Sequence, residues 1–472
     1  MTPLPAFRRP WLLAVLLPGW LAVGRGAQAL PAQASPDGAA LVAELGCGGC
    51  HEGLPAPEPA RDRAPVLGGS AAALPMAFVY EYLEDPRPRR EGLGATRMPD
   101  FRLSSRERLA LALAIGSDGA GMEEVREDDP EVDADDGRLL FSVLGCAGCH
   151  GGLGTGEEVL GGVGIGPSLE GTGSRLQGGW LRSFLEDPVE VRPSGHAPGT
   201  GSRMPDFRLA ADEVDRILAY LQERRLDAAK SGLAERALPA LSPWGRARAE
   251  VYLTDRLSCL GCHSWRGEGG RVGPSLDGIV RRLTPEEVVR VVLDPGAARP
   301  GTVMPPSPFA PRILDQVAAL LVGDSAAWAP PTPPEIPWEE RMALARSWDR
   351  SEAGSVEGSE DGSVSGSGSR SGAVLYGQRC AQCHGSQGGG GGFNAAYLPV
   401  APTAHADASL MARWPDDTLY DGIAAGGWVL DRSHRMPAFG GSLAREQVEA
   451  LVAYIRELCG CEPPTWSRGG RP

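Results

Sequence analysis

The chain has 472 residues and carries 60 acidic against 46 basic side chains, a formal charge of −14. That length calls for three or four domains, and that charge argues against nucleic acid or an anionic membrane surface as a partner. Apolar residues reach 42 % but aromatics only 6 %, and 65 glycines and 42 prolines interrupt the chain, so short helices, many loops and small cores are expected, with a packed cofactor supplying the missing apolar mass.

The first element in chain order is a secretory signal over residues 1–29. Arg8 and Arg9 form its charged region, Trp11 to Val23 its apolar stretch, and Ala27-Gln28-Ala29 its cleavage site. The apolar stretch is short for a bilayer span and contains Pro18. The expectation is a protein exported to the periplasm with no membrane span in the mature chain.

Four repeats follow. The first (38–117) leads from Leu41 through a short helix into Cys47-Gly48-Gly49-Cys50-His51. The second (132–230) reaches Cys146-Ala147-Gly148-Cys149-His150. The third (245–325) contains Cys259-Leu260-Gly261-Cys262-His263, and the fourth (373–462) Cys380-Ala381-Gln382-Cys383-His384. Leu83-Glu84-Asp85-Pro86, Leu185-Glu186-Asp187-Pro188 and Leu293-Asp294-Pro295 are read as ends of mid-repeat helices, with proline as the stop. Arg-Met-Pro recurs at Met98, Met204 and Met436, with Val303-Met304-Pro305 in repeat three. Apolar residues at three-to-four spacing then predict a closing helix, as in Val214, Ile217, Leu218 and Leu221 or Val448, Leu451, Val452 and Ile455.

Residues 326–372 read as a linker, Pro-rich from Pro330 to Pro337 and then Ser/Gly/acidic from Ser351 to Gly372. Treated as a coil of roughly 22 residues, the second part spans about 25 Å. On this reading repeat four is a tethered module that swings relative to the other three. The glycine run Gly388 to Gly392 lacks the Lys and Ser/Thr of a phosphate loop and reads as a flexible loop.

Cys-x-x-Cys-His attaches c-type haem, because two thiols one helical turn apart reach both vinyl groups of one porphyrin while the adjacent His meets the iron. The expected cofactors are four covalently bound haem c groups. Cys47, Cys50, Cys146, Cys149, Cys259, Cys262, Cys380 and Cys383 supply the attachment, and His51, His150, His263 and His384 are the proximal ligands. A closed zinc site would need two more Cys or His ligands at suitable spacing, and no repeat offers a second such pair. Met98, Met204, Met304 and Met436, each roughly 40 to 55 residues after its His and directly before a proline, are the candidate distal ligands. Met76, Met122, Met342 and Met411 lack this setting and read as core or surface; His196, His405 and His434 remain minor alternatives as ligands. Gly166-Pro167-Ser168-Leu169 and Gly273-Pro274-Ser275-Leu276 are loops suited to offer a carbonyl to the second ring nitrogen of the ligating His. Ala64-Pro65 takes that place in repeat one, and Pro399 or Pro402 in repeat four. Cys459 and Cys461 stand apart, and a disulfide across one residue would be strained.

Each repeat resembles a class I cytochrome c domain, through the Cys-x-x-Cys-His motif, the Gly-Pro-x-Leu loop and the Met-Pro loop. Repeat four, with Met436-Pro437-Ala438-Phe439-Gly440, is the most similar to that pattern. The resemblance implies an all-α fold of tandem small domains, each wrapped around one haem, and outer-sphere electron transfer between a redox donor and acceptor. A His/Met iron has no open position for a substrate and a raised reduction potential, so no catalytic residues are expected. Two alternatives stay open: a haem enzyme of peroxidase or sulfur-compound dehydrogenase type with an open haem in repeat three, and a fixed cytochrome subunit of a respiratory complex.

Overall fold

Helix boundaries follow the local punctuation of the chain. A computed structural model describes residues 46–49, 53–54, 75–86, 98–115, 135–137, 139, 145, 169–192, 204–226, 237–300, 302–331, 333–348 and 368–467. The mid-repeat helices α1 (Met76–Glu84), α3 (Gly178–Glu186) and α7 (Pro285–Leu293) stop at the three Asp-Pro steps, and α2 (Ser105–Ile115), α4 (Ala211–Glu223) and α8 (Pro311–Val322) follow the Met-Pro loops. Helices α5 (Pro243–Val251) and α7 begin with proline in the first turn. Ser242 caps the first, accepting the Gly245 N–H at 3.1 Å, and Thr284 the second, accepting the Glu287 N–H at 3.3 Å. The remaining helices used below are α6 (Cys259–Cys262), α9 (Trp338–Trp348), α10 (Gly368–Arg379), α11 (Ala381–His384), α12 (Asp416–Ala425) and α13 (Arg445–Cys459). A hairpin of Ser264–Trp265 and Glu268–Gly269 follows the third attachment motif. Its turn residues, Arg266 and Gly267, both have positive φ, as a tight hairpin requires. With 54 % helix and 3 % strand among the described residues, the structure fits the all-α class.

Each repeat carries its own hydrophobic cluster: Met76, Val79, Leu83 and Leu111 in the first; Leu181, Leu185, Val214 and Ile217 in the second; Leu253, Leu260, Val288 and Leu314 in the third; Tyr376, Ile423, Leu451 and Ile455 in the fourth. The closing helices present the apolar positions that their periodicity marks: Val214, Ile217 and Leu221 in α4, and Val448, Leu451, Val452 and Ile455 in α13, are all buried.

Repeats one and two join through the heptapeptide Arg-Met-Pro-Asp-Phe-Arg-Leu that both contain. Asp100 and Asp206 exchange backbone hydrogen bonds, each at 2.9 Å. Arg102 then crosses to the Pro188 carbonyl and, at 2.7 Å, to Asp187. Arg208 crosses back to the Pro86 carbonyl and to Asp85, both at 2.9 Å. The two arginines have φ of 50° and 49°, a left-handed conformation that costs a non-glycine residue energy. Its appearance at matching positions marks a pseudo-twofold contact. Repeats two and three join where Leu176 pairs with Leu283 and the Gln177 N–H donates to the Arg282 carbonyl at 2.9 Å.

The expected linker and swinging module need correction. Residues 338–348 form a helix, α9, that clasps repeats one and four together. Trp338, Met342 and Ala345 enter the cluster of repeat one, while Leu344 enters that of repeat four. Arg341 pairs with the buried Glu107 of repeat one, and Glu340 accepts the Ser386 N–H of repeat four at 2.9 Å. The prolines before the helix and the Ser/Gly run after it obscured an i, i+4, i+7 apolar stripe. Residues 349–367 lie outside the described residues. The glycine run also differs from expectation: the N–H groups of Gly388, Gly390 and Gly392 donate in turn to the carbonyls of Gly385, His384 and Cys383 at 3.0, 2.8 and 3.1 Å. Gly388 and Gly390 have positive φ, and a Cβ on Gly392 would lie 2.4 Å from the Ala381 carbonyl. It is an ordered wrap around α11.

Leu344 is 0 % exposed. Leu344→Ala should lower unfolding free energy by about 2–5 kcal/mol, read as a shifted midpoint in chemical denaturation.

Candidate functional site: two cysteine pairs, each followed by histidine

In repeat three the attachment residues occupy one helical turn, the His263 N–H donating to the Cys259 carbonyl at 2.9 Å. The chain then returns: the N–H groups of Val272 and Gly273 both donate to the Cys262 carbonyl, at 3.0 and 2.8 Å. This carries the Pro274 carbonyl to 2.7 Å from Nδ1 of His263, which donates to it. The bond fixes the tautomer with Nε2 as a free lone pair, and it orients the ring. Burial lowers the His263 pKa, keeping the imidazole neutral. A Cβ on Gly273 would stand 2.5 Å from Cε1 of the ring, so that position needs glycine. The loop expected to supply a carbonyl does so here.

Repeat four reaches the same geometry with a different loop. His384 donates its backbone N–H to the Cys380 carbonyl at 2.9 Å and its Nδ1–H to the Thr403 carbonyl at 2.8 Å. The acceptor is thus neither Pro399 nor Pro402, but the residue after Pro402. The ring of His405 stacks on that of His384, centroids 4.1 Å apart and planes 12° apart. Tyr376, buried and held protonated, donates its hydroxyl to Nδ1 of His405 at 3.0 Å. Burial, and then the neighbouring His384, place His405 well below the ordinary pKa. His405 therefore supports the candidate ligand, and no spacing rule marked it. His434 faces another repeat, its Nε2 donating to the Thr254 carbonyl at 3.2 Å.

Cys259, Cys262, Cys380 and Cys383 form no disulfide. Burial pushes Cys259 up to about 11, and Cys262 and Cys380 up to about 12; for Cys262 the neighbouring Cys383 adds to the rise. Buried thiols of raised pKa are poor thiolate ligands for a metal ion. Among the described residues no group of three or more His, Cys, Asp and Glu could hold a metal ion. Near His263 burial lowers the pKa of the Arg192 and Arg282 guanidinium groups, and the charge of Arg299 lowers both further. Glu287 bonds Arg290 at 2.7 Å and also pairs with Arg299. Guanidinium groups near the ring suit an acidic group such as the propionates of a haem. The residues present therefore fit a covalently attached haem in repeats three and four.

The methionines divide. Met98, Met204 and Met436 pack against the clusters of repeats one, two and four, Met436 in the same cluster as Cys380. Met304 is half-buried, its N–H donating to Thr302 Oγ1 at 3.2 Å. Met76, Met342 and Met411 are core residues. Cys459 and Cys461 are joined in a disulfide, contrary to the strain argument. Their Cα atoms lie 5.1 Å apart, within ordinary range, because Gly460 takes φ +57° between them. The side chain of Cys47, and Cys50, His51, Cys146, Cys149, His150 and His196, lie outside what the structure describes.

Residues 134–225 match the family described as cytochrome c, and residues 368–455 match cytochrome C oxidase, cbb3-type, subunit III. No curated protein and no solved structure matches the chain.

Gly273→Ala should displace the His263 ring and change the optical spectrum of the haem in repeat three. Gly391→Ala, where an added Cβ meets nothing within 4 Å, should leave spectra unchanged. The unfolded chain takes up a proton near the ordinary histidine value of 6.5 that the folded state refuses at His405. That contribution to stability is full above the ordinary value and lost as pH falls below it. His405→Phe should flatten the decline, measured by denaturation on both sides of that value.

The two matches support a multidomain c-type cytochrome, and domains of that kind imply haem c and haem-based electron transfer.

Proposed function

We propose that the protein is an exported tetrahaem c-type cytochrome that passes electrons between redox partners in the periplasm. The observation that carries this reading is the shared geometry of repeats three and four. In each, a buried Cys-x-x-Cys turn is followed by a neutral imidazole whose Nδ1 is committed to a backbone carbonyl, at 2.7 Å and 2.8 Å. Haem, when bound, supplies one-electron chemistry at its iron. The chain attaches it through Cys47, Cys50, Cys146, Cys149, Cys259, Cys262, Cys380 and Cys383. His51, His150, His263 and His384 are the proximal ligands, and Met98, Met204, Met304 and Met436 the distal ones. Cys259 and Cys380 pack against the buried apolar clusters of their repeats. The likeness of 368–455 to a cbb3-type oxidase subunit favours a respiratory complex as one partner.

One observation keeps a second reading in view. Met98, Met204 and Met436 pack against the hydrophobic clusters of their repeats, and Met304 is not among the residues packed against that of repeat three. An open iron in repeat three would make that site catalytic.

A haem assay on the mature protein should return four covalent haems per chain, with the near-infrared band of Met-ligated ferric iron. Fewer haems would refute the tetrahaem reading, and carbon monoxide binding by the reduced protein would favour the catalytic one. Met436→His should lower the potential of one haem in a redox titration, because bis-His ligation holds ferric iron better.

A further inference from the structure

Repeats three and four meet at their attachment turns, and the geometry points to a fixed two-haem relay: Asn394 joins the two attachment sites, and electrons pass directly between them. The inference rests on the electron-transfer reading and adds which two sites exchange electrons and what holds them.

Asn394 is fully buried. Its Nδ2 donates to the Gly261 carbonyl at 2.9 Å, inside the Cys-x-x-Cys turn of repeat three, and lies 3.2 Å from Sγ of Cys383, the second attachment sulfur of repeat four. Its Oδ1 accepts the Arg271 N–H at 2.6 Å, and its own backbone N–H donates to the Gln382 carbonyl at 2.8 Å. One side chain thus binds the backbone of one attachment turn and the sulfur of the other. A thioether sulfur keeps its lone pairs, so the N–H···S contact survives haem attachment. The glycine wrap of 388–392 makes this possible by bringing the chain straight back to Cys383.

Two neighbouring contacts fix the same face. A Cβ on Gly261 would lie 1.9 Å from the Arg435 carbonyl, next to the candidate ligand Met436, so these backbones touch. His434 donates across to the Thr254 carbonyl at 3.2 Å. That carbonyl belongs to the π-helical turn Tyr252–Arg256 just before the third motif. The step is a one-electron exchange: the iron of one repeat is oxidised as the other is reduced, with no bond or proton transferred.

The test uses the holoprotein with a protease site inserted after Glu357, cut in solution. The two fragments should stay together on gel filtration. Asn394→Leu and Gly261→Ala, which attack the interface from opposite repeats, should each weaken reassociation by about tenfold, since buried polar groups lose their partners or backbones are forced apart. Both should also sharpen ferric electron paramagnetic resonance signals broadened by the neighbouring haem, with covalent haem retained. Wild-type fragments that separate freely, or spectra of wild type and both variants that superimpose, would overturn the relay. A wild-type fragment without covalent haem would sink the electron-transfer reading itself.

Discussion

An imidazole that is to bind iron through Nε2 needs its other nitrogen committed, and much of the architecture serves that one hydrogen bond. In repeat three the return loop is tied to the Cys262 carbonyl by two backbone bonds before Pro274 reaches His263. The ring then fills the space where a Gly273 side chain would stand. In repeat four a glycine wrap, Thr403 and a stacked His405 do the same work with other residues. The requirement is for a carbonyl at the right place, so unrelated loops satisfy it.

The aromatic-poor composition fits this plan. Each repeat has a small cluster of aliphatic side chains, and a site wrapped around a haem needs less protein core of its own. Small domains bury a modest fraction of their surface and gain from neighbours. The contacts here are of that kind: the exchanged arginines of repeats one and two, the Leu176–Leu283 bridge, and α9 inserting opposite sides into repeats one and four. The arginine clamps are half-exposed, and such pairs are individually worth little. Their weight lies in setting register, because each carries a backbone carbonyl bond with it. The buried pairing of Glu107 with Arg341 is different: removing one partner would strand a charge in the core.

These contacts change the functional picture of the chain. A repeat swinging on a coil delivers electrons by diffusion of its whole body. Repeat four is instead seated on α9 and on the attachment turn of repeat three, as the proposed relay requires. The glycine run after the fourth motif is then part of that seating, since its positive-φ residues let the chain turn back within a few residues.

Sequence alone determined the parts governed by local chemistry: the attachment motifs, the helix stops at Asp-Pro, the apolar stripes of α4 and α13, and the loop that presents the Pro274 carbonyl. Each depends on residues close along the chain, where spacing and backbone preference decide the outcome. Tertiary structure decided the rest. Nothing in the spacing of His405 predicts its stack on His384, and α9 hides between prolines and a Ser/Gly run because its stripe has meaning only against two partner cores. The same Asp-Phe-Arg heptapeptide end that reads as a mere repeat becomes a reciprocal clamp only when two copies face each other. Asn394 reads as an ordinary loop residue until Gly261, more than a hundred positions away, supplies its acceptor. Contacts of that range depend on how separate pieces pack, which no local pattern encodes.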